Sequence, residues 1–516
     1  MQEVATLTKK RPAKTKITAA YVFLFALMVL MFSPFEGITS MIGMVGDTAI
    51  QIRIGLDDLA QGRLITDEIY SWHDGLVFTA HESGWYLLLG IAYKLLKLWG
   101  VILVGTAFTY ATGFTAVNYM KDKANPFVAA AVIALTPLLG GFPDYNVRPA
   151  VTSIFAVTLL IVTCIGDRKP LFKAAVFSGC AFFLGWLQGG ILPLFFVTYI
   201  VFIVMELITR NFRDAGKMAI GIASGFVLSL LNPMGIRAYT FGLKQSAASD
   251  IWAWVDEWNP MRFNLLQITL ILIVFIAFMA GDGLRKFEKK TLTKLALLCM
   301  FFIMTCVYKR FVVYYSIAFL LFAPELLDGL LKWFIKMVIK PKKTKEIKLS
   351  DVFYYVLTVA CAALLIGLAC VYVPLFLPTG TMADIEAMAA YDPQAVEFIQ
   401  ERGYEKVFNT FDTGSWLAFH GVKVHIDNRI DPFMSEFSGE DHIRGQMNMS
   451  SLADLDAFRD RYDNDAFLIN TGEGYPYLLY EIETYASDRY AVVYDNVVPS
   501  SVPGVSPVQW IIIECR

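Results

Sequence analysis

The sequence predicts a polytopic α-helical membrane protein that carries a small C-terminal α/β domain outside the membrane. Of its 516 residues, 56% are apolar and only 17% are charged, whereas soluble domains average about 45–50% and about 25%. Many apolar runs approach the roughly 20 helical residues that cross a hydrocarbon core. After residue 376 the apolar runs shorten and acidic residues multiply. This composition excludes a disordered chain, and the formal net charge of -2 argues against a nucleic acid as partner.

Eleven apolar runs are predicted to cross the membrane. They are residues 17–35, 101–120, 126–142, 150–166, 174–189, 190–208, 217–233, 263–281, 293–308, 311–327 and 352–376. The first run has no small-residue cleavage site after a short apolar core, so it is interpreted as an uncleaved anchor. The predicted organisation is a cytoplasmic tail (1–16), a transmembrane domain (17–376) and an extracytoplasmic domain (377–516).

The orientation follows from the short loops, because Lys and Arg in such loops stay cytoplasmic. The N-terminal tail and every second loop together hold 25 of the 44 basic residues. Residues 84–99 are apolar enough for a further span, but counting them would move 20 of these basic residues outside. The first outer loop, 36–100, is therefore predicted to contain two helices in the membrane interface, over 47–62 and 84–99.

In the C-terminal domain, strands are predicted to alternate with helices, which is typical of a small α/β layer domain. The predicted strands are 406–411, 422–426, 465–470, 490–496 and 507–514, and the predicted helices are 393–402, 414–420, 451–461 and 475–486. Asp392 and Pro393 have the residue types of an N-cap and a first helical position.

Groups that can transfer protons are concentrated on the predicted outer side. Asp47 follows the first span in MVGDTAIQIRIG, where a carboxylate can act as a general base on an acceptor or bind a metal. The alternative is an N-cap for the helix that begins at residue 48. His81 and Glu82 open the next interfacial helix, where a Glu is also explained by the helix dipole.

Four cations depart from the cytoplasmic bias: Arg148, Arg237, Lys309 and Arg310. A guanidinium at the outer boundary can bind a lipid phosphate or diphosphate with two hydrogen bonds. The alternative is that these side chains reach toward phospholipid head groups. In HIDNRID (425–431), oxygen ligands for a hard cation are present, but the spacing is not that of an EF-hand. A structural turn with an Asp–Arg pair is the preferred interpretation of that segment.

Short motifs in a fixed order along the chain resemble bacterial multi-pass proteins related to the C-type (GT-C) glycosyltransferases, the group of the protein O-mannosyltransferases and aminoarabinose transferases. DTAIQIRIG (47–55) is similar to that family's Asp-Thr-Trp-Trp-His-Leu-Arg-x-Gly motif, although both Trp are missing. The segment around His81-Glu82, the pair Arg148-Pro149, NPMGIR (232–237) and EWNP (257–260) resemble later outer-loop motifs. FNTFDTGSWLAFHGVKVHIDNRID (408–431) resembles a motif of the outer domain.

The resemblance implies a site on the outer face that uses a polyprenyl phosphate or diphosphate sugar as donor. Asp47 then stands at the acidic position that activates the acceptor or organises the site. Arg148, Arg237, Lys309 and Arg310 are implied to contact the donor phosphate, and His81 and Glu82 to line the site. A divalent cation stays possible, and the acceptor is a glycan, a lipid or a protein. The expected partners are thus a lipid-linked sugar donor, membrane lipids and that acceptor.

The rival hypotheses are a transporter, an assembly factor for envelope polymers, and a relative that binds a polyprenyl lipid without catalysis. A transporter should show ionisable or Gly/Pro-broken segments near mid-membrane, and charged residues within the predicted spans are few. The favoured prediction is therefore a glycosyltransferase in the cell membrane, with hexosyl or pentosyl transfer on its outer face.

Overall fold

The computed structural model of the protein describes residues 19–32, 43–140, 147–252, 255–280, 287–338, 351–376, 378–446, 451–470, 478–502 and 504–516. Within these ranges the chain is mostly helical, with one small sheet near its C-terminal end.

Helices dominate the part of the chain that precedes residue 377. They are α1 (Ala19–Phe32), α2 (Ala49–Gln61), α3 (Ser83–Met120), α4 (Pro126–Leu135), α5 (Ala150–Ile165), α6 (Pro170–Leu187), α7 (Leu192–Ile208), α8 (Phe212–Ser229), α9 (Arg237–Ala247), α10 (Ser249–Trp252), α11 (Leu265–Ala280), α12 (Lys289–Val307), α13 (Val312–Val338) and α14 (Asp351–Phe376). Short 3-10 turns occupy Thr136–Leu139, Gly189–Ile191, Asp256–Trp258 and Lys309–Phe311, and a π-helical turn occupies Met44–Thr48.

The helices have the length and apolar surface of a membrane protein. Among the described residues, five are long and apolar enough to cross a membrane: Ser83–Met120, Pro170–Leu187, Gly189–Ile208, Lys289–Val307 and Lys309–Phe334. Shorter apolar helices lie at Pro126–Leu139, Ala150–Ile165, Leu265–Ala280 and Tyr355–Leu364. Each of the eleven predicted runs contains a helix. Large apolar side chains such as Phe114, Phe183 and Leu265 point outward, which suits a lipid environment.

Helix α3 contains the boundary between the predicted interfacial helix and the second predicted span. Lys97 has φ 55° and ψ -146°, so the helix is broken there into two parts. The backbone N–H of Leu98 donates to the carbonyl of Gly380 at 2.8 Å. A positive φ is unfavourable for a Lys unless tertiary contacts stabilise it. The hydrogen bond from Leu98 to Gly380, in the segment that leads into the C-terminal domain, is such a contact.

Two glycines allow α2 and α3 to cross at backbone distance. A Cβ on Gly55 would lie 1.9 Å from the carbonyl oxygen of Tyr86, and one on Gly90 would lie 2.3 Å from the carbonyl carbon of Gly55. Any side chain at either position would therefore push the helices apart. Gly55 is the last residue of the DTAIQIRIG motif, so packing explains this part of the motif.

The C-terminal domain contains α15 (Met382–Ala389), α16 (Pro393–Arg402), α17 (Phe411–Phe419), α18 (Ser435–Ser438), α19 (Ile443–Gln446), α20 (Leu452–Tyr462) and α21 (Leu478–Tyr485), with a 3-10 turn at Asp431–Phe433. Its strands are β1 (Val407–Phe408), β2 (Ala466–Asn470), β3 (Tyr490–Val498) and β4 (Val508–Cys515). The sheet order is β1-β2-β4-β3, with β1 parallel to β2 and the other pairs antiparallel. Asp392 caps α16 as predicted, since its side chain accepts from the N–H of Gln394.

Two strand predictions need correction. Residues 422–426 form no strand of this sheet; Val424 instead makes an isolated parallel bridge with Ser71. The N–H of Val424 donates to the carbonyl of Tyr70 at 2.9 Å. The backbone groups of this apolar segment are thus satisfied by the first outer loop rather than by the sheet. The strand predicted at 406–411 is only two residues long, because Phe411 already begins α17.

The C-terminal domain and the first outer loop share one hydrophobic core. Its buried members include Ile52 and Trp85 from the outer loop together with Trp416 and Trp510 from the domain. The rings of Trp416 and Trp510 are 5.2 Å apart. Because one apolar core joins both segments, the domain is fixed over the first outer loop and can contribute side chains there.

Candidate functional site

Asp47 lies in the π-helical turn Met44–Thr48, directly before α2. Gly46 departs from helical geometry within this turn, and such turns often occur at functional sites. The capping alternative for Asp47 is wrong. The residue at the N-cap of α2 is Thr48, and no side-chain hydrogen bond caps the helix there. Asp47 is half-buried beside the start of the helix. Its carboxylate faces the Arg148 guanidinium rather than the helix N–H groups.

A row of alternating charges leads away from Asp47. A nitrogen of the Arg148 guanidinium lies 3.4 Å from the Asp47 carboxylate and another lies 3.6 Å from that of Glu257. Glu257 lies in turn 3.9 Å from Arg310. The structure thus brings Asp47, Arg148 and Arg310 into one cluster, with Glu257 as the bridging carboxylate. We call these four residues the outer cluster.

The loop that carries Glu257 also fixes the short turn at 309–311. The Lys309 ammonium pairs with Asp256, and its backbone N–H donates to the carbonyl of Asn259 at 2.8 Å. The Arg310 guanidinium lies 4.2 Å from the ring centroid of Trp258, which is a cation–π distance. Lys309 therefore pairs with a carboxylate that is not a member of the outer cluster, whereas Arg310 pairs with Glu257 within the cluster.

The pKa of the Asp47 carboxyl is raised above its ordinary value. Burial is the largest cause, and the Arg148 guanidinium opposes it. The carboxylates of Glu257, Glu82 and Asp427 raise the pKa further. Desolvation and neighbouring anions both disfavour the charged form of an acid. The result is a carboxylate that takes up a proton more readily than an ordinary Asp, as a general base requires.

His81 and Glu82 lie beside this cluster, at the start of α3. The Nε2 atom of His81 is 3.4 Å from the Glu82 carboxylate, and its ring stacks on Phe241 at 3.8 Å. Glu82 also accepts a hydrogen bond from the Gln51 amide at 3.3 Å. Burial acts to lower the pKa of His81, but Glu82 and Asp431 outweigh it, so the pKa is raised.

Asp431 reaches this group from the C-terminal domain. Its carboxylate accepts from the backbone N–H of Thr79 at 3.3 Å. Burial raises the pKa of Asp431 to about 7, although His81 and Arg429 lower it. The two groups therefore interact electrostatically, and each shifts the pKa of the other. The sequence placed Asp431 in HIDNRID but gave no indication of its proximity to His81.

Arg429 fixes the same segment to the first outer loop. Its side chain is 5% exposed and lies between two carboxylates, Glu68 at 2.6 Å and Asp427 at 2.5 Å. The rings of Tyr70 and Phe78 lie 5.1 and 4.9 Å from its guanidinium carbon. The predicted Asp–Arg pair of HIDNRID is thus confirmed, and Glu68 is the partner that sequence reasoning missed. We call Arg429, Glu68 and Asp427 the buried clamp.

Asn428, between two members of the clamp, faces the turn that holds Asp47. A Cβ on Gly46 would lie 3.6 Å from the Asn428 amide nitrogen. The Asn428 carbonyl oxygen is buried and has no hydrogen-bond partner among the described residues. The C-terminal domain therefore contributes an amide to the surroundings of Asp47. The sequence singled out Asn428 only as one of the possible oxygen ligands in HIDNRID.

Arg237 lies apart from the outer cluster. It lines a cavity of about 220 Å³ with Val77, Thr79, Thr240, Phe241, Lys244 and Phe437. Phe241 is the residue on which His81 stacks, so this cavity adjoins the His81 side of the site. Among the described residues, Arg237 makes no ion pair with the outer cluster, so its contact with a donor phosphate stays a prediction.

The described residues do not supply a metal site. They contain no group of three His, Cys, Asp or Glu side chains arranged to hold a metal ion. The Asp47 carboxylate faces the Arg148 guanidinium instead. The side chains at this site fit ion pairing and proton transfer rather than the oxygen cage that a divalent cation prefers.

Comparisons with known proteins concern the fold. No family model matches the chain, and no curated protein matches its sequence. The apo structure of the Archaeoglobus fulgidus oligosaccharyltransferase is similar at a TM-score of 0.51 and 13% identity, over 88% of this chain and 70% of that one. The archaeal oligosaccharyltransferase AglB from the same organism, in complex with an inhibitory peptide and a dolichol-phosphate, gives 0.51 at 12% identity, over 90% and 70%.

The chain shares its overall fold with these oligosaccharyltransferase structures. The likeness extends over most of the chain. With the long apolar helices and the small C-terminal sheet, it supports the predicted fold class at the level of a mostly helical chain with apolar helices. At this identity it concerns the architecture alone.

Proposed function

We propose that this protein is a membrane glycosyltransferase that moves a sugar from a polyprenyl-phosphate-type donor to an acceptor on the outer face. The observation that carries the proposal is the outer cluster: Asp47 with a raised pKa lies 3.4 Å from Arg148. A base and a phosphate-binding cation are thereby adjacent within a GT-C-like fold. The solved AglB complex contains a dolichol-phosphate and a peptide, which supports a lipid-linked donor here.

The proposed topology has eleven spans, a cytoplasmic N-terminus and an outer C-terminal domain. The break at Lys97 supports it, because it separates the proposed interfacial part of α3 from the part that crosses the membrane. In this topology Asp47, Arg148, Glu257 and Arg310 all lie at the outer boundary, where a lipid-linked donor presents its sugar. The proposed acceptor class is a glycan, lipid or protein of the cell envelope, and the proposed sugar is a hexose or pentose.

In the proposed reaction, the oxygen or nitrogen of an acceptor hydroxyl or amine bonds to the anomeric carbon of the donor sugar. Asp47 accepts the proton that this oxygen or nitrogen loses. The bond between this carbon and the phosphate oxygen of the donor breaks, and its electron pair leaves with the polyprenyl phosphate. Attack opposite the leaving group inverts the anomeric carbon. A positioned general base contributes about 10²–10⁴-fold to such a rate.

Arg148 and Arg310 are proposed to stabilise the negative charge that grows on the departing phosphate. Arg148 is 41% exposed and Arg310 30% exposed, and their carboxylate contacts are 3.4–3.9 Å long. Such contacts can rearrange when a phosphate arrives. Glu257 holds both cations at the site before the donor binds.

The test is sugar transfer from polyprenyl-phosphate donors by the full-length protein in proteoliposomes. Wild type is compared with Asp47→Asn, and with Asp67→Asn as a matched control. Asp67 belongs to the same outer loop but its side chain is 73% exposed and pairs only loosely with Arg63, at 3.7 Å. We expect transfer by wild type and by the control, and a loss of about 10²–10⁴-fold in Asp47→Asn.

Equal transfer by Asp47→Asn and wild type would remove Asp47 from the mechanism. Binding of the polyprenyl lipid by wild type without transfer to glycan, lipid or peptide acceptors would replace the proposal with the non-catalytic alternative.

A further inference from the structure

A second charged cavity lies at the other end of the helical bundle. Its volume is about 270 Å³, and it is lined where α5 and α7 end and where α6, α8 and α12 begin. Helix α5 has 16 residues, so its two ends are about 24 Å apart. Because Arg148 lies just before α5, the cavity is remote from the outer cluster. In the proposed topology it opens to the cytoplasmic side.

The carboxylates of this cavity are already engaged. Both oxygens of Glu206, a nearly buried residue, lie 2.9 Å from the Lys289 ammonium. Asp167 pairs with Lys290 at 2.8 Å. The third acid, Asp214, accepts from the Asn211 amide at 2.9 Å. Two of the four lining cations are therefore matched by carboxylates.

The other two lining cations are Arg168 and Lys173, and they have no ion pair among the described residues. Lys173 is only 8% exposed, and its ammonium donates to the carbonyl of Cys164 at 2.6 Å. An ammonium has three N–H donors, so this bond uses one of them. Arg168 is exposed at the rim of the cavity, above the ring of Phe172 at 5.9 Å. The carboxylates of Glu206 and Asp167 act on this ammonium without forming a close ion pair with it. An anion at hydrogen-bonding distance would therefore stabilise it further.

The helix starts add to the positive potential. Helices α6, α8 and α12 have 18, 18 and 19 residues and begin at this cavity, and none has a side-chain hydrogen bond at its N-cap. Helix N-termini favour anions because their first N–H groups are not used within the helix. Helices α5 and α7 end here, but the carbonyl of Cys164 near the end of α5 already has Lys173 as its donor.

We propose that this inner cavity binds a phosphate group through Arg168 and Lys173. A volume of about 270 Å³ accommodates a phosphate and a small substituent. The same chemistry is offered by a phospholipid head group and by a free phosphate or phosphorylated metabolite. The site is separate from the transfer site and does not depend on the proposed function.

The test uses full-length protein in detergent micelles with two probes. Inorganic phosphate is titrated calorimetrically, and binding of phosphatidylglycerol is counted by native mass spectrometry. Arg168→Gln and Lys173→Met are compared with wild type. Lys332→Met is the matched control, since Lys332 is an exposed cation of the same predicted side that lies outside the cavity and pairs with Asp328.

We expect one bound equivalent of at least one probe, and affinity about tenfold weaker in either cavity variant, as for a lost charge-assisted hydrogen bond. Lys332→Met should bind as wild type does. Binding of inorganic phosphate identifies a free phosphate ligand, and binding of phosphatidylglycerol alone identifies a head group. Wild-type affinity in both cavity variants, or no binding of either probe, would overturn the proposal. Because Arg168 is exposed, its variant remains informative if Lys173→Met does not fold.

Discussion

The outer cluster and the buried clamp are built from the same residue types but differ in exposure. In the clamp, Arg429 is 5% exposed and lies 2.5–2.6 Å from carboxylates that are 0–2% exposed. In the outer cluster, Arg148 is 41% exposed and lies 3.4–3.6 Å from carboxylates that are 34–37% exposed. A dry, closely bonded pair fixes structure, whereas a longer and wetter pair can exchange a partner for a ligand.

The difference assigns separate tasks to the two arginines. Arg429 holds the C-terminal domain on the first outer loop and thereby keeps Asn428 and Asp431 beside the site. Arg148 lowers the pKa of Asp47 against burial and is proposed to bind the donor phosphate. The following predictions test this division, beginning with the largest expected effect.

The largest expected effect is on stability. Arg429→Met should lower the free energy of unfolding by about 3–5 kcal/mol, because removing one partner of a buried ion pair leaves charges uncompensated. The measurement is thermal unfolding together with limited proteolysis between the two domains. The control is Arg444→Met. Arg444 also joins the C-terminal domain to the rest of the chain, through Asp250 of helix α10, but its side chain is 31% exposed. This substitution should lower the free energy of unfolding by at most about 1 kcal/mol.

If Arg429→Met and Arg444→Met cost the same, exposure does not separate the two kinds of cluster and the comparison fails.

The second prediction concerns the outer cluster. Arg148→Gln should lower transfer about 10–100-fold by removing a charge-assisted contact to the phosphate, while the unfolding temperature stays nearly unchanged. Because Arg148 lowers the pKa of Asp47, its removal should also move the acidic limb of the pH–rate profile to higher pH. The profile of kcat/KM between about pH 4 and 8 measures this, since that range extends from the pKa of an ordinary carboxyl to above neutrality.

A shift of the acidic limb toward lower pH, or no shift at all, would contradict the assignment of that limb to Asp47.

The helical architecture was largely predictable because the length and apolar composition of each run are local properties of the sequence. The break at Lys97 even lies at the boundary between the predicted interfacial helix and the predicted span. The strand predicted at 422–426 was wrong, because the partner of an apolar run depends on which edge the tertiary structure offers. Here that edge is Ser71, far away in the sequence.

The site was predictable in part. Asp47, Arg148 and Arg310 were identified from type and position, and the structure brings them together. Lys309 was grouped with them as a cation at the same boundary, and Arg237 was grouped with them for that reason and as part of the NPMGIR motif. The partner of Arg429, Glu68, lies 361 residues away in the chain, so no spacing or periodicity could indicate it. Gly414 and Gly55 match motif positions for a steric reason, which one sequence cannot distinguish from a catalytic one.

The third prediction concerns acid stability. His73 Nε2 and His425 Nδ1 are 2.9 Å apart between the outer loop and the domain, and His73 stacks on His442 at 3.9 Å. Burial lowers the pKa of His73 to about 3 and that of His425 well below 6.5, and Arg461 lowers both further. The unfolded chain then binds more protons than the folded one between about pH 6.5 and pH 3. The free energy of unfolding therefore decreases as the pH is lowered through that window.

The unfolding temperature of wild type should therefore drop on acidification by several degrees more than that of His73→Phe. Glu440 and Asp441 raise the pKa of His442, whereas burial lowers it. Wild type and His73→Phe are therefore compared across the same pH series. Parallel curves for the two proteins would exclude the histidines as the cause.

The smallest expected effect is that of metal removal. Because the outer cluster is assembled from ion pairs, we expect EDTA to change the transfer rate by less than about twofold. Loss of about 1.4 kcal/mol of transition-state stabilisation would change the rate about tenfold. The measurement is transfer after dialysis against EDTA, with and without added Mg²⁺ or Mn²⁺. Abolition by EDTA and recovery with either ion would show that Asp47 acts through a metal.

The central claim is that Asp47 acts as the general base of the transfer step and contributes little to donor binding. Single-turnover transfer and donor affinity, measured on the same Asp47→Asn preparation, test it most directly. The account predicts an unchanged unfolding temperature, a donor Kd within about threefold of wild type and a single-turnover rate at least about 100-fold lower. A normal single-turnover rate, or a loss explained entirely by weaker donor binding, would contradict it.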